Sequence, residues 1–183
     1  LCRTRDDVFR HPRNSESLLR TIQHIRRNRF IHISSKKGCI NVKIMTIKEI
    51  QDSIVEEFSS FDDWMDRYSL LIEMGRECPI IDPQYRNDNY LINGCQSRVW
   101  LHAELKDGKI YFTADSDAVI TKGIINLLIK VLSGQTPADI INADMSFLDE
   151  IGLKEHLSPT RSNGLLSMIK QMMLYAEVMN VKK

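Results

Sequence analysis

The sequence predicts an α+β fold, in which helices pack against an antiparallel β-sheet of about three strands. Apolar residues recur at helical spacing before residue 76 and again after residue 116. Strict alternation of apolar and polar residues is confined to the segment between them, residues 97–114. This order of helices, hairpin and helices differs from the regular strand–helix alternation that builds a parallel sheet.

Charge divides the 183-residue chain into two parts, which predicts a boundary near Met45. Residues 1–44 hold 11 Lys and Arg against 3 Asp and Glu, a net charge of +8, whereas residues 45–183 carry −7. The longest apolar stretch, residues 123–132, is shorter than the ~20 residues that span a bilayer. The composition therefore argues against an integral membrane protein.

The basic extension, residues 1–44, has three interpretations. A nucleic-acid-binding arm would use its basic cluster of Arg26, Arg27, Arg29, Lys36 and Lys37. An organellar transit peptide should be poor in acidic residues, yet this segment contains three. We favour a third interpretation, in which the true start is Met45 and the extension is misassigned or disordered, because the composition changes there and a helix signal follows at once.

Two helices are predicted after Met45. Thr46 and Glu49 form a capping box for a helix that runs to about Phe58. Ser60 should cap the second helix, and Gly75 should end it. Four residues of this second helix share one face and are predicted to pack in the core: Phe61, Trp64, Tyr68 and Leu71.

A hairpin follows a long loop. Residues 76–93 contain several breakers and are predicted to be irregular; loops of this length are usually functional or mobile. Ser97 to Leu105 should form one strand and Lys109 to Ala114 the next, joined by the turn signal at residues 107–108. Residues 90–92 are the candidate third strand. Arg98, Trp100, His102 and Glu104 are expected on the outer, polar face.

Helices are predicted again after the hairpin. Ser116 should cap a long helix that ends before Gly134, with Asp117 in its first turn. Pro137 suits the first position of a short helix, and Ser146 opens another. A C-terminal helix that reaches about residue 179 is predicted from Leu165, Ile169, Met172 and Met173.

Cysteine is the most informative reactive residue. Only Cys78 and Cys95 lie in the predicted fold, and no C-x-x-C is present, so zinc, dithiol and iron–sulfur ligand signatures are missing. Cys78 is expected to act as a small apolar residue. Cys95 lies at a loop–strand junction, where a thiol can be reached, and is the candidate nucleophile. Four residues are candidates for the positive charge that would favour its thiolate: Arg98, His102, His156 and Arg161.

Three segments resemble the SufE family, the sulfur acceptors of cysteine desulfurases. Residues 94–100 (GCQSRVW) resemble the hallmark of the family, residues 115–123 (DSDAVITKG) the segment that opens its long helix, and residues 156–165 (HLSPTRSNGL) its C-terminal signature. The similarity extends from about Met45 to the end of the chain. It implies a SufE/NifU-like fold, similar to that of U-type iron–sulfur scaffolds.

The resemblance also implies a mechanism. Cys95 would attack the outer sulfur of a persulfide on a SufS- or CsdA-like cysteine desulfurase, stimulate that enzyme, and pass the sulfur to an iron–sulfur scaffold protein. Five residues match family motif positions and would support the cysteine: Gly94, Gln96, Ser97, Asp117 and Arg161. The chain itself would need no cofactor or metal, since pyridoxal phosphate belongs to the desulfurase.

The remaining expectations follow from the same resemblance. The protein should be cytoplasmic, a monomer or weak homodimer, with no nucleic-acid or membrane partner. It would be a sulfur-transfer protein that forms a cysteine persulfide and not a stand-alone enzyme. Two alternatives stay open: a U-type-like iron–sulfur scaffold or metal carrier, and a self-contained thiol enzyme. The presence of one motif cysteine favours the carrier over the scaffold.

Overall fold

The computed structural model describes residues 31–36 and 39–181, and the chain divides into two units, Leu1–Thr46 and Ile47–Lys183. In the first unit, strands β1 (Ile31–Lys36) and β2 (Cys39–Ile44) pair in antiparallel register. Residues 1–30 lie outside the described residues, and the three interpretations of the basic extension stay predictions.

The second unit confirms the predicted α+β class. Its described residues form one antiparallel strand pair and seven α-helices. In chain order these elements are α1 (Ile47–Ser59), α2 (Trp64–Arg76), β3 (Val99–Lys106), β4 (Lys109–Ser116), α3 (Val119–Leu132), α4 (Pro137–Ile141), α5 (Phe147–Glu150), α6 (Leu153–His156) and α7 (Pro159–Val181). The core lies where the inner face of the hairpin meets α3 and the surrounding helices, and ten of the 14 residues of α3 are buried.

The hairpin has two strands, and the expectation of about three is corrected. Asp107 and Gly108 both have positive φ, 52° and 74°, as the tight turn that joins two strands requires. The candidate third strand contributes a single bridge between Leu91 and Trp100, because residues 88–90 coil into a 3₁₀ turn that begins at the Asn87 cap. A coiled backbone cannot present a second row of hydrogen-bonding groups to β3.

The outer edge of β4 is closed by hydrogen bonds from neighbouring loops. They join the amide of Ile110 to the Gln135 carbonyl, the amide of Phe112 to the Ser133 hydroxyl, and the amide of Ala114 to the Pro79 carbonyl. Buried backbone donors need partners, and these contacts supply them along an edge that pairs with no further strand among the described residues.

The second helix differs from its prediction at both ends. Its cap is Asp63, whose carboxylate accepts the Met65 amide, whereas the Ser60 hydroxyl donates to the carbonyl of Glu57 in the preceding turn. Gly75 does not end the helix. It lies where α2 crosses α3, and a Cβ at Gly75 would come within 3.0 Å of the backbone nitrogen of Gly123. Glycine is therefore used here for close helix approach.

The predicted aromatic face of α2 is only partly in the core. Leu71 is fully buried, whereas Phe61, Trp64 and Tyr68 are half-buried. Trp64 instead stacks on His156, with 3.8 Å between ring centroids, which connects α2 to the end of α6.

Two later helix starts also differ from expectation. Ser116 is the last residue of β4, and the cap of α3 is Ala118; Gly134 does follow the end of α3, with a φ of 76°. The C-terminal helix begins at Pro159, six residues before Leu165, because proline fits a first helical position. Arg161 is therefore helical.

Candidate functional site

Cys95 lies in a short loop between the edge of the sheet and β3, here called the cysteine loop (residues 93–98). The two residues that flank the loop are joined by a hydrogen bond, in which the Ile92 amide donates to the Val99 carbonyl at 2.8 Å. At the last residue of the loop, the Arg98 amide donates to a carboxylate oxygen of Asp117 at 3.0 Å. The loop is thus fixed at both ends, and its tip carries the thiol.

The tip rests against the N-terminal part of α7. The Cys95 Sγ lies 3.6 Å from the Gly164 carbonyl oxygen, to which its S–H donates. A Cβ at Gly164 would lie 3.5 Å from the Cys95 Sγ, so the thiol packs directly against this position of α7. Gly94 has a φ of 89°, and a Cβ there would come within 2.6 Å of the Ser167 hydroxyl. The backbone at Gly94 therefore requires glycine, whereas alanine would fit at Gly164.

The thiol opens onto a cleft of about 270 Å³. Buried Ile124 and Met168 supply its apolar part. Its polar groups are three hydroxyls, one amide and one guanidinium, contributed by Ser97, Thr121, Thr160, Gln96 and Arg161. The cleft therefore combines a nucleophilic sulfur, an apolar surface and several hydrogen-bond donors.

Burial disfavours the thiolate form of Cys95. Cys95 is half-buried, and this burial raises the pKa of its thiol above the ordinary value. Of the four candidate cationic neighbours, Arg161 lines the same cleft. Arg98 instead pairs with Asp88 at 2.9 Å, His102 stacks on Tyr85, and His156 stacks on Trp64.

The structure brings all five supporting residues to the cleft or the loop. Gly94, Gln96 and Ser97 shape the loop, and Arg161 lines the cleft. Asp117 acts on the backbone at the end of the loop and is not among the residues that line the cleft. The roles of these residues in sulfur chemistry remain predictions.

The long loop covers the sheet face that was expected to be exposed. Trp100 is only 5% exposed, because the guanidinium groups of Arg86 and Arg98 lie 4.5 and 5.1 Å from its ring centroid. His102 is half-buried beneath Tyr85, with 3.8 Å between parallel rings. The expectation of a solvated outer face is therefore wrong at these two residues, since periodicity within a strand cannot show which loop will fold over it.

Cys78 differs from Cys95 in its surroundings. It is 4% exposed, and its sulfur lies 3.6 Å from the Ala114 carbonyl oxygen. Burial raises the pKa of its thiol to about 12. A thiol with so little thiolate is a poor nucleophile, in agreement with its predicted role as a small apolar residue.

Sequence reasoning missed the side of α7 that supports the loop. Gly164 and Ser167 are three residues apart and face the cysteine loop together, as positions i and i+3 of a helix do. The available signal was Ser158-Pro159, which places a helix start before Arg161 and would have aligned these two small residues.

Metal clusters and membrane-spanning helices are both absent from the described part of the chain. Within residues 31–36 and 39–181, no three His, Cys, Asp or Glu side chains are grouped so that they could bind a metal ion. None of the helices formed by these same residues is both long and apolar enough to cross a bilayer.

Three comparisons relate this geometry to known proteins. Residues 52–176 match the family model for SufE, the Fe-S metabolism associated domain. An uncharacterised SufE-like protein of Rhizobium meliloti strain 1021 is 37% identical over 131 residues, which are 69% of this chain and 94% of that protein. The solution structure of a hypothetical protein from Thermus thermophilus aligns with a TM-score of 0.60 and 22% identity, over 70% of this chain and 93% of its own. This last likeness concerns the fold alone.

Proposed function

Because the chain belongs to the SufE family and so to iron–sulfur metabolism, we propose that it accepts sulfur on Cys95 from a cysteine desulfurase and carries it to cluster assembly. One observation carries this proposal. Cys95 is a free thiol at the tip of a loop fixed at both ends, at the mouth of a cleft that also contains Arg161.

The transfer is a thiol exchange. The Cys95 thiolate attacks the outer sulfur of the persulfide on the desulfurase, a new S–S bond forms on Cys95, and the S–S bond on the enzyme breaks. The cysteine of the enzyme leaves as a thiolate and takes up the proton that Cys95 has lost. The step has no net redox change, and it needs no metal or organic cofactor on this chain.

The cleft gives the transferred sulfur a sheltered position. A terminal persulfide is anionic and is lost to reductants or oxidised when it is exposed to water. The hydroxyl of Thr160 and the guanidinium of Arg161 are donors for that charge, and Ile124 and Met168 exclude solvent beneath it. A second nucleophile, on a scaffold protein, would then take the sulfur when the loop opens.

The buried resting state implies activation by the partner. The raised pKa of Cys95 keeps the thiolate scarce in the free protein. Docking of a SufS- or CsdA-like desulfurase would move the cysteine loop away from α7, return the thiol to water and lower its pKa. A bulky maleimide should therefore alkylate Cys95 faster in the complex than in the free protein, and equal rates would refute this activation step.

The test is mass spectrometry of the full chain after incubation with a cysteine desulfurase and cysteine, under non-reducing conditions. Wild type should gain one sulfur that a reductant removes and that peptide mapping places on Cys95. Cys95→Ser should gain none, while the matched variant Cys78→Ser should gain the sulfur normally. Circular dichroism of each variant provides the folding control.

Two results would overturn the proposal. If the sulfur appears on Cys78, Cys2 or Cys39 and persists in Cys95→Ser, the nucleophile is wrong. If a folded protein accepts no sulfur from either class of desulfurase but binds iron after anaerobic reconstitution, the scaffold alternative takes its place.

A further inference from the structure

Thr121 of α3 has a buried hydroxyl group at the cleft beside Cys95. The residue is only 6% exposed, and it lines the cleft together with Ser97 and Cys95. A buried hydroxyl needs a hydrogen-bonding partner. The Thr121 hydroxyl donates to the hydroxyl oxygen of Ser97, with 3.4 Å between the two oxygens. This contact connects the cysteine loop to α3.

The direction of this hydrogen bond leaves the hydrogen of Ser97 free. A hydroxyl group has one hydrogen to donate and two lone pairs that accept. Ser97 accepts from Thr121, and its own hydrogen has no protein acceptor within residues 31–36 and 39–181. A hydroxyl that accepts one hydrogen bond becomes a stronger donor in another, because the two bonds polarise each other. Ser97 therefore gives the cleft an uncommitted donor.

The sulfur on Cys95 needs different contacts before and after sulfur transfer. The resting thiol donates its hydrogen to the Gly164 carbonyl oxygen at 3.6 Å. A persulfide adds a second sulfur ~2 Å beyond the first, and this terminal sulfur has a negative charge and no hydrogen. The carbonyl oxygen cannot bond to it, since both atoms are acceptors, whereas a hydroxyl can donate to it in a charge-assisted bond. A different group must therefore hold the transferred sulfur.

We infer that Thr121 is a positioning residue, which directs the Ser97 hydroxyl toward the sulfur transferred to Cys95. Ser97 is the group that contacts this sulfur, and Thr121 acts only through Ser97. The site then uses the Gly164 carbonyl while it is empty and the Ser97 hydroxyl once it is loaded. The inference rests on the proposed function, because it concerns the sulfur that Cys95 would carry. It adds a donor of fixed direction to the guanidinium of Arg161.

The test uses a persulfide that is formed chemically on Cys95 of the full chain. Sodium polysulfide is the probe: the Cys95 thiolate takes one sulfur atom from it, and the polysulfide dianion that remains is one sulfur shorter. No desulfurase takes part, so a failure of enzymatic sulfur transfer and a failure of this inference give separate results. The readout is the pH at which alkylation of the persulfide by iodoacetamide is half-maximal, followed at Cys95 by peptide mass spectrometry.

Thr121→Val keeps the shape of the side chain and removes its hydroxyl. It should raise this midpoint by about one pH unit, a tenfold lower acid dissociation constant, because the persulfide anion loses an oriented donor. Ser97→Ala should raise the midpoint at least as much, and adding Thr121→Val to Ser97→Ala should raise it no further. Thr121→Ser restores the hydroxyl and should have the wild-type midpoint. The matched control is Thr113→Val, which replaces a threonine of β4 outside the cleft and should leave the midpoint unchanged.

Three results would overturn the inference, with circular dichroism to establish that each variant is folded. The first is a wild-type midpoint in Thr121→Val. The second is a midpoint in Thr121→Ser as high as that in Thr121→Val, which would make the hydroxyl irrelevant. The third is an equal shift from Thr121→Val with and without the Ser97 hydroxyl. If Thr121→Val does not fold, Ser97→Ala decides: a raised midpoint supports the inference, and an unchanged one overturns it.

Discussion

Gly94→Ala should release the cysteine loop from α7. The φ of 89° is unfavourable for alanine by ~1–2 kcal/mol, and the new methyl group would come within 2.6 Å of the Ser167 hydroxyl. One contact between the loop tip and α7 that opposes release is the long S–H···O bond from Cys95 to Gly164, 3.6 Å. Since undocking relieves both penalties, the population of the undocked loop should increase about tenfold or more.

The assay is the rate of Cys95 alkylation by iodoacetamide at about pH 8, near the ordinary thiol pKa, followed by peptide mass spectrometry so that each cysteine is read separately. Gly94→Ala should react about tenfold faster than wild type, in proportion to the undocked population. Gly108→Ala is the matched control, because Gly108 also has a positive φ but nothing lies within 4 Å of its Cβ position. It should lose some stability and leave the Cys95 rate unchanged.

A second variant separates the collision from the backbone strain. Gly94→Ala combined with Ser167→Ala removes the hydroxyl that the new methyl group meets, so the rate should fall part of the way back toward wild type. The reasoning is refuted if folded Gly94→Ala reacts at the wild-type rate, or if the increase is the same with and without Ser167.

Three further predictions concern stability and sulfur retention. Burial raises the pKa of the Cys78 thiol from 9.0 to about 12, so the thiol stabilises the fold below pH 9 and this stabilisation is lost as the pH rises toward 12. In urea titrations between about pH 8 and pH 10, the free energy of unfolding of wild type should therefore fall by about 1 kcal/mol more than that of Cys78→Ala. Asp117→Ala removes the acceptor of the Arg98 amide and should cost at most about 1 kcal/mol, with faster hydrogen exchange at that amide; unchanged exchange would show that the contact does not hold the loop. Arg161→Gln should shorten the lifetime of the Cys95 persulfide in buffer without changing the melting temperature, and an unchanged lifetime would remove Arg161 from the site.

Much of the hairpin could be predicted because its signals are local. Alternation sets which side chains face the core, and the Asp107-Gly108 pair sets the turn. The burial of Trp100 could not be predicted, since the residues that cover it, such as Arg86, approach from a loop whose path depends on tertiary contacts. The same limit applies to Gly75, because a glycine that ends a helix and one that permits a close crossing look alike in a sequence.

The candidate site could be predicted only where its signals are local in the sequence. The position of Cys95 at a loop–strand junction made it the candidate nucleophile, and the family motif singled it out. Its resting contact with Gly164 depends on where α7 begins, and the helix starts six residues before the first residue that predicted it. Residues 69 positions apart meet only through the fold, so neither the raised thiol pKa nor the cleft could be inferred from spacing.

The closed edge of β4 restricts how partner proteins can bind this protein and how it can aggregate. Many complexes form when a partner peptide adds a strand to an open sheet, and many aggregates grow in the same way. Along β4, the amides of Ile110, Phe112 and Ala114 are already committed to loop partners, so an incoming strand would have to displace residues 79, 133 and 135 first. A partner that binds at this edge must therefore contact side chains instead of adding a strand. An isolated two-stranded sheet would expose unpaired backbone groups on which further strands could assemble, and here those groups on β4 are already occupied.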